Sequence, residues 1–150
     1  MKPRFPPIFQ LLSGGLVSWG VARLFPTADY AAPVLWYVAM ALLLFGFAIL
    51  TNAVLSFVRQ KTTVNPLEPQ KAERLVITGL YRFTRNPMYL GLAAILVGFA
   101  LILQNVLALL GPLLFLISMT LLQIIPEERA LSKIFGDEYH EYKERVRRWI

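Results

Sequence analysis

The sequence of 150 residues contains no cysteine and a single histidine, His140. Disulfide bonds, thiolate catalysis and cysteine metal sites are therefore excluded, and one histidine cannot form a metal site by itself. Charged residues are also scarce, at 16% of the chain, whereas hydrophobic residues make up 57% of it. The mean hydropathy of +0.57 is too high for an ordinary soluble domain. We therefore expect one integral membrane domain over residues 1–150, without a metal ion.

Charge is absent from two long stretches, residues 30–58 and 86–126. The first is long enough for one helix across the hydrocarbon core, and the second for two short crossings joined near Gln104 and Asn105. Another apolar run, from Ile8 to Val21, lacks a small-residue cleavage pattern after it, which favours a membrane helix over a signal peptide. The sequence therefore predicts an all-α membrane protein with about four transmembrane helices, at residues 8–24, 32–58, 87–104 and 106–125.

Basic residues would fall on one side of this four-helix arrangement. Lys2, Arg4, the six Lys or Arg from Arg59 to Arg85 and the basic tail would share that side, and the opposite side has only Arg23. The positive-inside rule then predicts a multi-pass protein with both termini in the cytoplasm, in the inner or plasma membrane if the source is bacterial. The net charge of +6 fits membrane lipids better than nucleic acid, because the cations flank apolar segments.

Within residues 78–91, a basic, aromatic loop runs directly into the second charge-free stretch, which begins at Asn86. Asn86 and Pro87 predict a helix start, because an Asn side chain can cap the unpaired N–H groups and proline tolerates the first helical position. Arg85 would then lie beside a helix end that favours anions, which suits a carboxylate. The short apolar run at residues 75–77 is too short to span a membrane and is expected to lie against the protein or the interface.

The tail, residues 127–150, has apolar residues at spacings of three and four among charged ones, which predicts amphipathic helices with a break at Gly136. An interfacial helix would explain this stripe but not Glu127 and Glu128, since carboxylates at the end of a membrane helix are costly unless solvated or paired. Two interpretations stay open. The two carboxylates form a solvated helix start, or they face Arg85 and Tyr89 across a cleft roofed by residues 75 and 76.

Two motifs resemble those of the isoprenylcysteine carboxyl methyltransferases and their bacterial relatives, which are also similar to phospholipid N-methyltransferases. The first stands here as Gly79, Tyr81, Arg85, Asn86, Pro87, Tyr89 and Gly91. The second stands as Glu127, Glu128, Leu131, Phe135, Gly136, Tyr139 and Tyr142, and Val146, Arg148 and Trp149 continue the likeness. Asn86 replaces the usual histidine of the first motif. Gln123 stands where the eukaryotic carboxyl methyltransferases carry an arginine, which argues against prenylated protein C-termini as substrates.

The resemblance implies a membrane methyltransferase that uses S-adenosyl-L-methionine, with the cytosolic loop and the amphipathic tail forming the cofactor pocket. By motif position, the residues lining the cofactor pocket would be Leu75, Val76, Tyr81, Asn86, Pro87, Met88 and Tyr89. Glu128 is also expected to bind the cofactor. Glu127 would face the reacting end of the cofactor, and we add Arg85, from its charge, as the partner of the cofactor's carboxylate. Glu127 and Arg85 are thus the expected catalytic residues. The acceptor would be a small amphipathic or lipidic molecule with a carboxylate, thiol or amine nucleophile.

Two other functions stay open at this point. A relative of the membrane sterol reductases would use a nicotinamide dinucleotide phosphate, and it would need more basic groups and a longer chain. A non-catalytic helical membrane protein would use the loop and the tail only as interfacial surfaces for a partner. Small residues on the helix faces permit a dimer but do not require one.

Overall fold

The computed structural model describes residues 6–26, 32–59 and 75–150, and within these ranges the chain contains helices and no β-strand. The predicted all-α fold is confirmed for this part of the chain. The α-helices of these ranges are α1 (Pro7–Leu24), α2 (Val34–Arg59), α3 (Pro87–Ile102), α4 (Leu110–Met119) and α5 (Ile125–Arg145). Two 3₁₀ turns occur at Gly79–Arg82 and Val106–Leu109, and a π-helical turn, Thr120–Ile124, joins α4 to α5. The basic leader at residues 1–5 and the proline-containing loop at 60–74 lie outside the described residues.

In the part of the chain that the structure describes, two helical runs are long and apolar enough to cross a membrane. They are Val34–Ser56, with a mean hydropathy of 2.3, and Val106–Arg145, with a mean hydropathy of 2.2. The charge-free part of the second run ends at residue 126, and α3 is a shorter apolar helix. Large apolar side chains such as Leu16, Leu44 and Ile117 are exposed on α1, α2 and α4. Because soluble monomers rarely expose extensive apolar patches, this surface indicates a membrane protein.

Helices α2 and α3 pack closely because glycines face each other across their contact. A Cβ atom built on Gly46 would lie 2.7 Å from the carbonyl oxygen of Gly91, and one on Gly98 would lie 3.0 Å from the carbonyl oxygen of Ala39. Gly91 and Gly98 therefore lie on the same face of α3, as their heptad spacing predicts. Small residues allow membrane helices to approach closely where lipid supplies no hydrophobic drive for association.

Substitution of Gly91 by alanine is expected to destabilise this helix pair. The added Cβ would lie 2.8 Å from the carbonyl oxygen of Gly46 and 3.1 Å from the amide nitrogen of Leu50, and these backbone atoms cannot turn away. We expect Gly91→Ala to lower the free energy of unfolding by about 1–3 kcal/mol. The midpoint of thermal unfolding in detergent micelles measures this loss. Gly20→Ala is the control, because a Cβ there meets nothing within 4 Å; an equal loss in both variants would contradict the packing argument.

Helix α1 packs against α4 and the turn before it. Its buried residues, Gln10, Gly14 and Ser18, recur every four positions, and the Ser18 hydroxyl donates a hydrogen bond of 2.8 Å to the carbonyl oxygen of Ala108. The Gly111–Pro112 pair favours a kink in the sequence. Both residues lie in the first turn of α4, directly after the 3₁₀ turn at Val106–Leu109.

The turn between α3 and α4 is fixed by Asn105. Its side chain accepts a hydrogen bond from the amide of Leu107 and donates one to the carbonyl oxygen of Phe25, both at 2.9 Å. The α3–α4 hairpin is therefore tied to the end of α1. At the opposite end of the hairpin, the start of α3 and the start of α5 lie close together, and this is the end that carries Arg85, Glu127 and Glu128.

Candidate active site

The start of α3 is held by the last residues of the chain described here, which we call the distal segment (residues 146–150). The amide of Arg85 donates to the carbonyl oxygen of Arg147 at 3.0 Å. The hydroxyl of Thr84 and the side-chain amide of Asn86 both donate to the carbonyl oxygen of Arg148, at 3.3 and 2.9 Å. The loop before α3 is thereby fixed against a segment that is about 60 residues away in sequence.

Asn86 precedes α3 as predicted, but the predicted side-chain cap is wrong. Asn86 occupies the N-cap position and Pro87 the first helical position, yet the Asn86 side chain makes no capping hydrogen bond. Its side-chain amide donates to the carbonyl oxygen of Arg148 instead. A tertiary contact has therefore replaced the local one that the sequence pattern favours.

Glu128 is bound by two arginines from different parts of the chain. Nε and Nη2 of Arg148 donate to its two carboxylate oxygens at 3.0 and 2.8 Å, and Nη1 of Arg85 lies 3.1 Å from Oε1. The side chains of Arg85 and Glu128 are only 12% and 15% exposed. Bidentate ion pairs of this kind fix geometry as well as charge. Glu128 thus links the start of α5 to both the loop and the distal segment.

Arg85 keeps donor capacity that this ion pair does not use. Its Nε and Nη1 atoms are buried and have no hydrogen-bond acceptor among the described residues, although Nη1 is in ion-pair contact with Glu128. Buried donors without an acceptor are uncommon in proteins and call for an explanation. One oxygen of a ligand carboxylate would satisfy the Nε donor, whereas Nη1 already faces the carboxylate of Glu128.

Glu127 is held by Tyr89 and Gln123 on a single carboxylate oxygen. The Tyr89 hydroxyl donates to Oε1 of Glu127 at 2.7 Å, and the side-chain amide of Gln123 donates to the same atom. Tyr89 and Gln123 are themselves buried, and Gln123 lies in the π-helical turn that precedes α5. Such turns are frequent at functional sites. The carboxylate is therefore held in one orientation by side chains from α3 and from the π-helical turn.

Burial raises the pKa of Glu127 to about 7. The hydrogen bonds from Tyr89 and Gln123 lower this pKa, but burial outweighs them, and the neighbouring Glu128 raises it further. Glu127 follows the charge-free part of its helical run, which ends at residue 126. A carboxyl group whose pKa is moved close to neutrality by a desolvated environment is a candidate for a functional role.

Aromatic and apolar side chains surround these charged groups. Val76 and Tyr81 are buried together with Ala53 of α2, and Met88 packs both on them and on the core cluster that contains Tyr89. The Tyr142 hydroxyl donates to the carbonyl oxygen of Tyr81 at 2.6 Å, which joins α5 to the loop. The structure therefore brings the residues of the first motif into contact with those of the second.

The remaining residues that the sequence singles out are placed as follows. Leu75 packs on the buried cluster of Tyr139, Tyr142 and Val146, and Pro87 is fully buried in the first turn of α3. The contacts of Arg148 and Gln123 with the two carboxylates were not predicted. The sequence indicates Arg148 as a site residue only through its place in the continuation of the second motif. Among the described residues, no group of three or more His, Asp or Glu side chains is arranged to hold a metal ion.

An apolar groove of about 750 Å³ begins at Leu90, the residue that follows Tyr89. Its walls come from α2, α3, α4, the π-helical turn and the distal segment, and they run along α3 from Leu90 to Val97. Among the lining residues that the structure describes, only Thr120 and Trp149 have side chains with nitrogen or oxygen. The Trp149 indole N–H donates to the Thr120 hydroxyl at 3.2 Å. The groove thus has a hydrocarbon surface and lies next to the residues around Glu127.

Comparison with known proteins identifies the family. The family described as phospholipid methyltransferase matches residues 34–138, which is more than half of the chain and includes Arg85, Tyr89, Glu127 and Glu128. The chain belongs to the phospholipid methyltransferase family. This family membership agrees with the resemblance that the two motifs show, and the matched range ends before the distal segment.

Several curated proteins are similar to this member of the phospholipid methyltransferase family. An uncharacterized protein of Haemophilus influenzae is 48% identical over 63 residues, which are 42% of this chain and 100% of that protein. A probable protein-S-isoprenylcysteine O-methyltransferase of Oryza sativa subsp. indica is 32% identical over 110 residues, 73% of this chain and 58% of that protein. Protein-S-isoprenylcysteine O-methyltransferase B of Arabidopsis thaliana is 24% identical over 148 residues, 90% of this chain and 75% of that protein. No solved structure matches the chain.

Proposed function

We propose that the protein transfers a methyl group from S-adenosyl-L-methionine to a small amphipathic or lipidic acceptor at the cytosolic membrane interface. The observation that supports this most is the contact between the two motifs, in which Tyr89 donates to Glu127 at 2.7 Å beside the Arg85–Glu128–Arg148 ion pairs. Family membership favours methyl transfer over the oxidoreductase and non-catalytic alternatives.

The chemistry of the donor set fits this cofactor. S-adenosyl-L-methionine, when bound, supplies an activated methyl group on a positively charged sulfur. The buried Nε of Arg85, which has no acceptor among the described residues, would bind its carboxylate. Glu127, in its ionised form, would face its positive charge, and the apolar surfaces of Val76, Tyr81 and Met88 would contact its uncharged part. Glu128 would act by orienting Arg85.

Methyl transfer from a sulfonium needs alignment and exclusion of water more than it needs acid–base groups. Glu127 is suited to alignment because Tyr89 and Gln123 fix the same carboxylate oxygen. The distal segment is suited to water exclusion because it is bonded to the loop at Arg85, Thr84 and Asn86. These residues would hold the reacting groups in position while the acceptor provides the nucleophile.

The proposed topology has α1, α2, α3 and the charge-free run 106–126 crossing the membrane as one domain, with Arg85 and Glu128 on the cytosolic side. The Asn105–Phe25 hydrogen bond would then lie near the opposite side. Under this topology the cofactor reaches the site from water and the acceptor reaches it from the lipid. Both termini would be cytoplasmic, as the distribution of basic residues predicts.

Calorimetric titration of the purified protein in detergent with S-adenosyl-L-methionine tests this function. We expect saturable binding by the wild-type protein, and Tyr89→Phe should weaken it about tenfold, because the lost hydrogen bond to a buried carboxylate is equivalent to roughly 1.4 kcal/mol. Transfer of labelled methyl groups into a lipid extract should fall in parallel. Tyr37→Phe is the matched control, since Tyr37 is 79% exposed on α2. Absence of binding by the wild-type protein, or equal binding by Tyr89→Phe, would contradict the proposal.

A further inference from the structure

The apolar groove has a polar end and a deep end. It follows α3 from Leu90, which is next to Tyr89, to Val97. Seven residues of α-helix correspond to about 10 Å of length. Trp149 lies with Leu90 at the polar end, because the carbonyl oxygen of the preceding Arg148 accepts a hydrogen bond from Asn86 at the start of α3. Leu42 of α2 lies at the deep end, since its neighbour Leu43 is the residue that approaches Gly98.

The walls of the groove suit a hydrocarbon chain and no polar ligand group. The hydroxyl of Thr120 accepts from Trp149 and donates to the carbonyl oxygen of Leu116 at 2.7 Å, so both polar side chains of the lining are already satisfied. A polar ligand group buried here would lose its hydrogen bonds to water without replacement. The rim residues Phe45, Ile117 and Leu121 belong to the exposed apolar surface, so the groove opens toward the lipid.

Trp149 stands at the junction between this groove and the polar group. Its indole ring lines the groove and packs on the cluster that contains Tyr89. The preceding residue, Arg148, donates two hydrogen bonds to Glu128, and its carbonyl oxygen accepts from Asn86. The ring is therefore fixed from two directions, by Thr120 through its N–H and by the bonded backbone and side chain of Arg148.

We propose that Trp149 is a positioning residue for the acceptor. An apolar chain of the acceptor lies in the groove with its polar end at Trp149, on the side of Tyr89 and its partner Glu127, and its tail at Leu42 and Val97. This assignment rests on the proposed function and narrows its acceptor to amphiphiles that place one flexible chain beside α3. Burial of the acceptor's apolar chain then supplies the binding energy that holds its nucleophile in line with the methyl group.

Fluorescence quenching by brominated amphiphiles tests this orientation without any methyl transfer. The chain has 3 tryptophans, so Trp19→Phe with Trp36→Phe leaves Trp149 as the reporter. We expect 2-bromododecan-1-ol and 12-bromododecan-1-ol to bind saturably, and the 2-bromo probe to quench Trp149 at least threefold more at saturation. A reporter at the deep end, Leu42→Trp in a protein whose other tryptophans are changed to Phe, should show the reverse order.

Two controls distinguish a probe bound in the groove from a probe dissolved in the detergent micelle. A protein with Trp36 as its only tryptophan reports partition alone, because Trp36 is 47% exposed on α2, and its quenching should not saturate. Ala94→Phe would fill the groove and should abolish saturable quenching of Trp149, whereas Leu113→Phe, on the exposed face of α4, should leave it unchanged. Equal quenching by the two probes, the reverse order at Trp149, or quenching like that of Trp36 would overturn the proposal.

Calorimetric titration of the same protein with S-adenosyl-L-methionine tests the proposed function separately from the role of Trp149. Binding of S-adenosyl-L-methionine together with position-independent quenching would reject the role of Trp149 and retain the methyltransferase. Ordered quenching without such binding would reject the methyltransferase and retain a groove that orients amphiphiles.

Discussion

Arg85→Ala is expected to weaken binding of S-adenosyl-L-homocysteine by about 10- to 100-fold, because a charge-assisted hydrogen bond contributes roughly 1.5–3 kcal/mol. This ligand keeps the carboxylate of the cofactor but lacks the positive sulfur, so the loss reports the arginine's own contact. The fold should survive, since Glu128 keeps both hydrogen bonds from Arg148. Calorimetric titration measures the affinity, and the thermal unfolding midpoint verifies that the variant is folded.

Two further arginine variants test whether the loss of affinity is specific to the buried guanidinium of Arg85. Arg85→Lys retains the charge but loses the fork, and it should recover only part of the lost affinity. Arg145→Ala removes an arginine whose side chain is 69% exposed and whose partner on the same helix is Glu141, and it should bind as the wild type does. Equal losses in Arg85→Ala and Arg145→Ala would show that general positive charge, rather than the buried guanidinium, attracts the ligand.

Glu127→Gln is expected to abolish both the preference for a positively charged sulfur and the pH dependence of that preference. Burial raises the pKa of Glu127 to about 7, so the carboxyl is mostly neutral at pH 6 and mostly ionised at pH 8. A cation binds the ionised form, and the affinity for S-adenosyl-L-methionine should therefore rise with pH, by up to about tenfold per pH unit below 7. In Glu127→Gln this affinity should be low and constant over the same range.

S-adenosyl-L-homocysteine, whose sulfur carries no charge, is the matched ligand for this experiment. Its affinity should change less than about threefold, an energy of roughly 0.65 kcal/mol, both with pH and on substitution of Glu127. Binding in two buffers of different ionisation enthalpy should also show proton release below pH 7 when the charged ligand binds. If Glu127→Gln weakens both ligands equally, the carboxylate supports the structure of the site and does not face the sulfur.

The helical architecture was predictable because the lack of charge defines long apolar runs, and such runs have few alternatives to helix in a membrane. Local details were less predictable. The Asn86–Pro87 pair identified the start of α3, but the side chain of Asn86 is bound by a residue about 60 positions away. Likewise, Gly111 and Pro112 are a kink signal only if the helix begins well before them, and the turn ahead of α4 shifts that start to Leu110.

The polar site was partly predictable for a similar reason. Charged residues are so few that Arg85, Glu127 and Glu128 stood out, and the two motifs placed them together. The bonds of Arg148 and Gln123 depend on how α5 turns back over the loop, which no local pattern encodes. The groove was not predictable either, because an apolar stripe looks the same whether it faces lipid, another helix or a ligand.

The π-helical turn at Thr120–Ile124 makes the alignment of the two carboxylates sensitive to insertions and deletions. Each residue of an α-helix corresponds to a rotation of about 100° around its axis, so loss of one residue here would point Glu127 away from Tyr89 without altering a single side chain of the site. A family member with an insertion or a deletion at this position could therefore keep both sequence motifs and still lose the contact that Tyr89 and Glu127 make here.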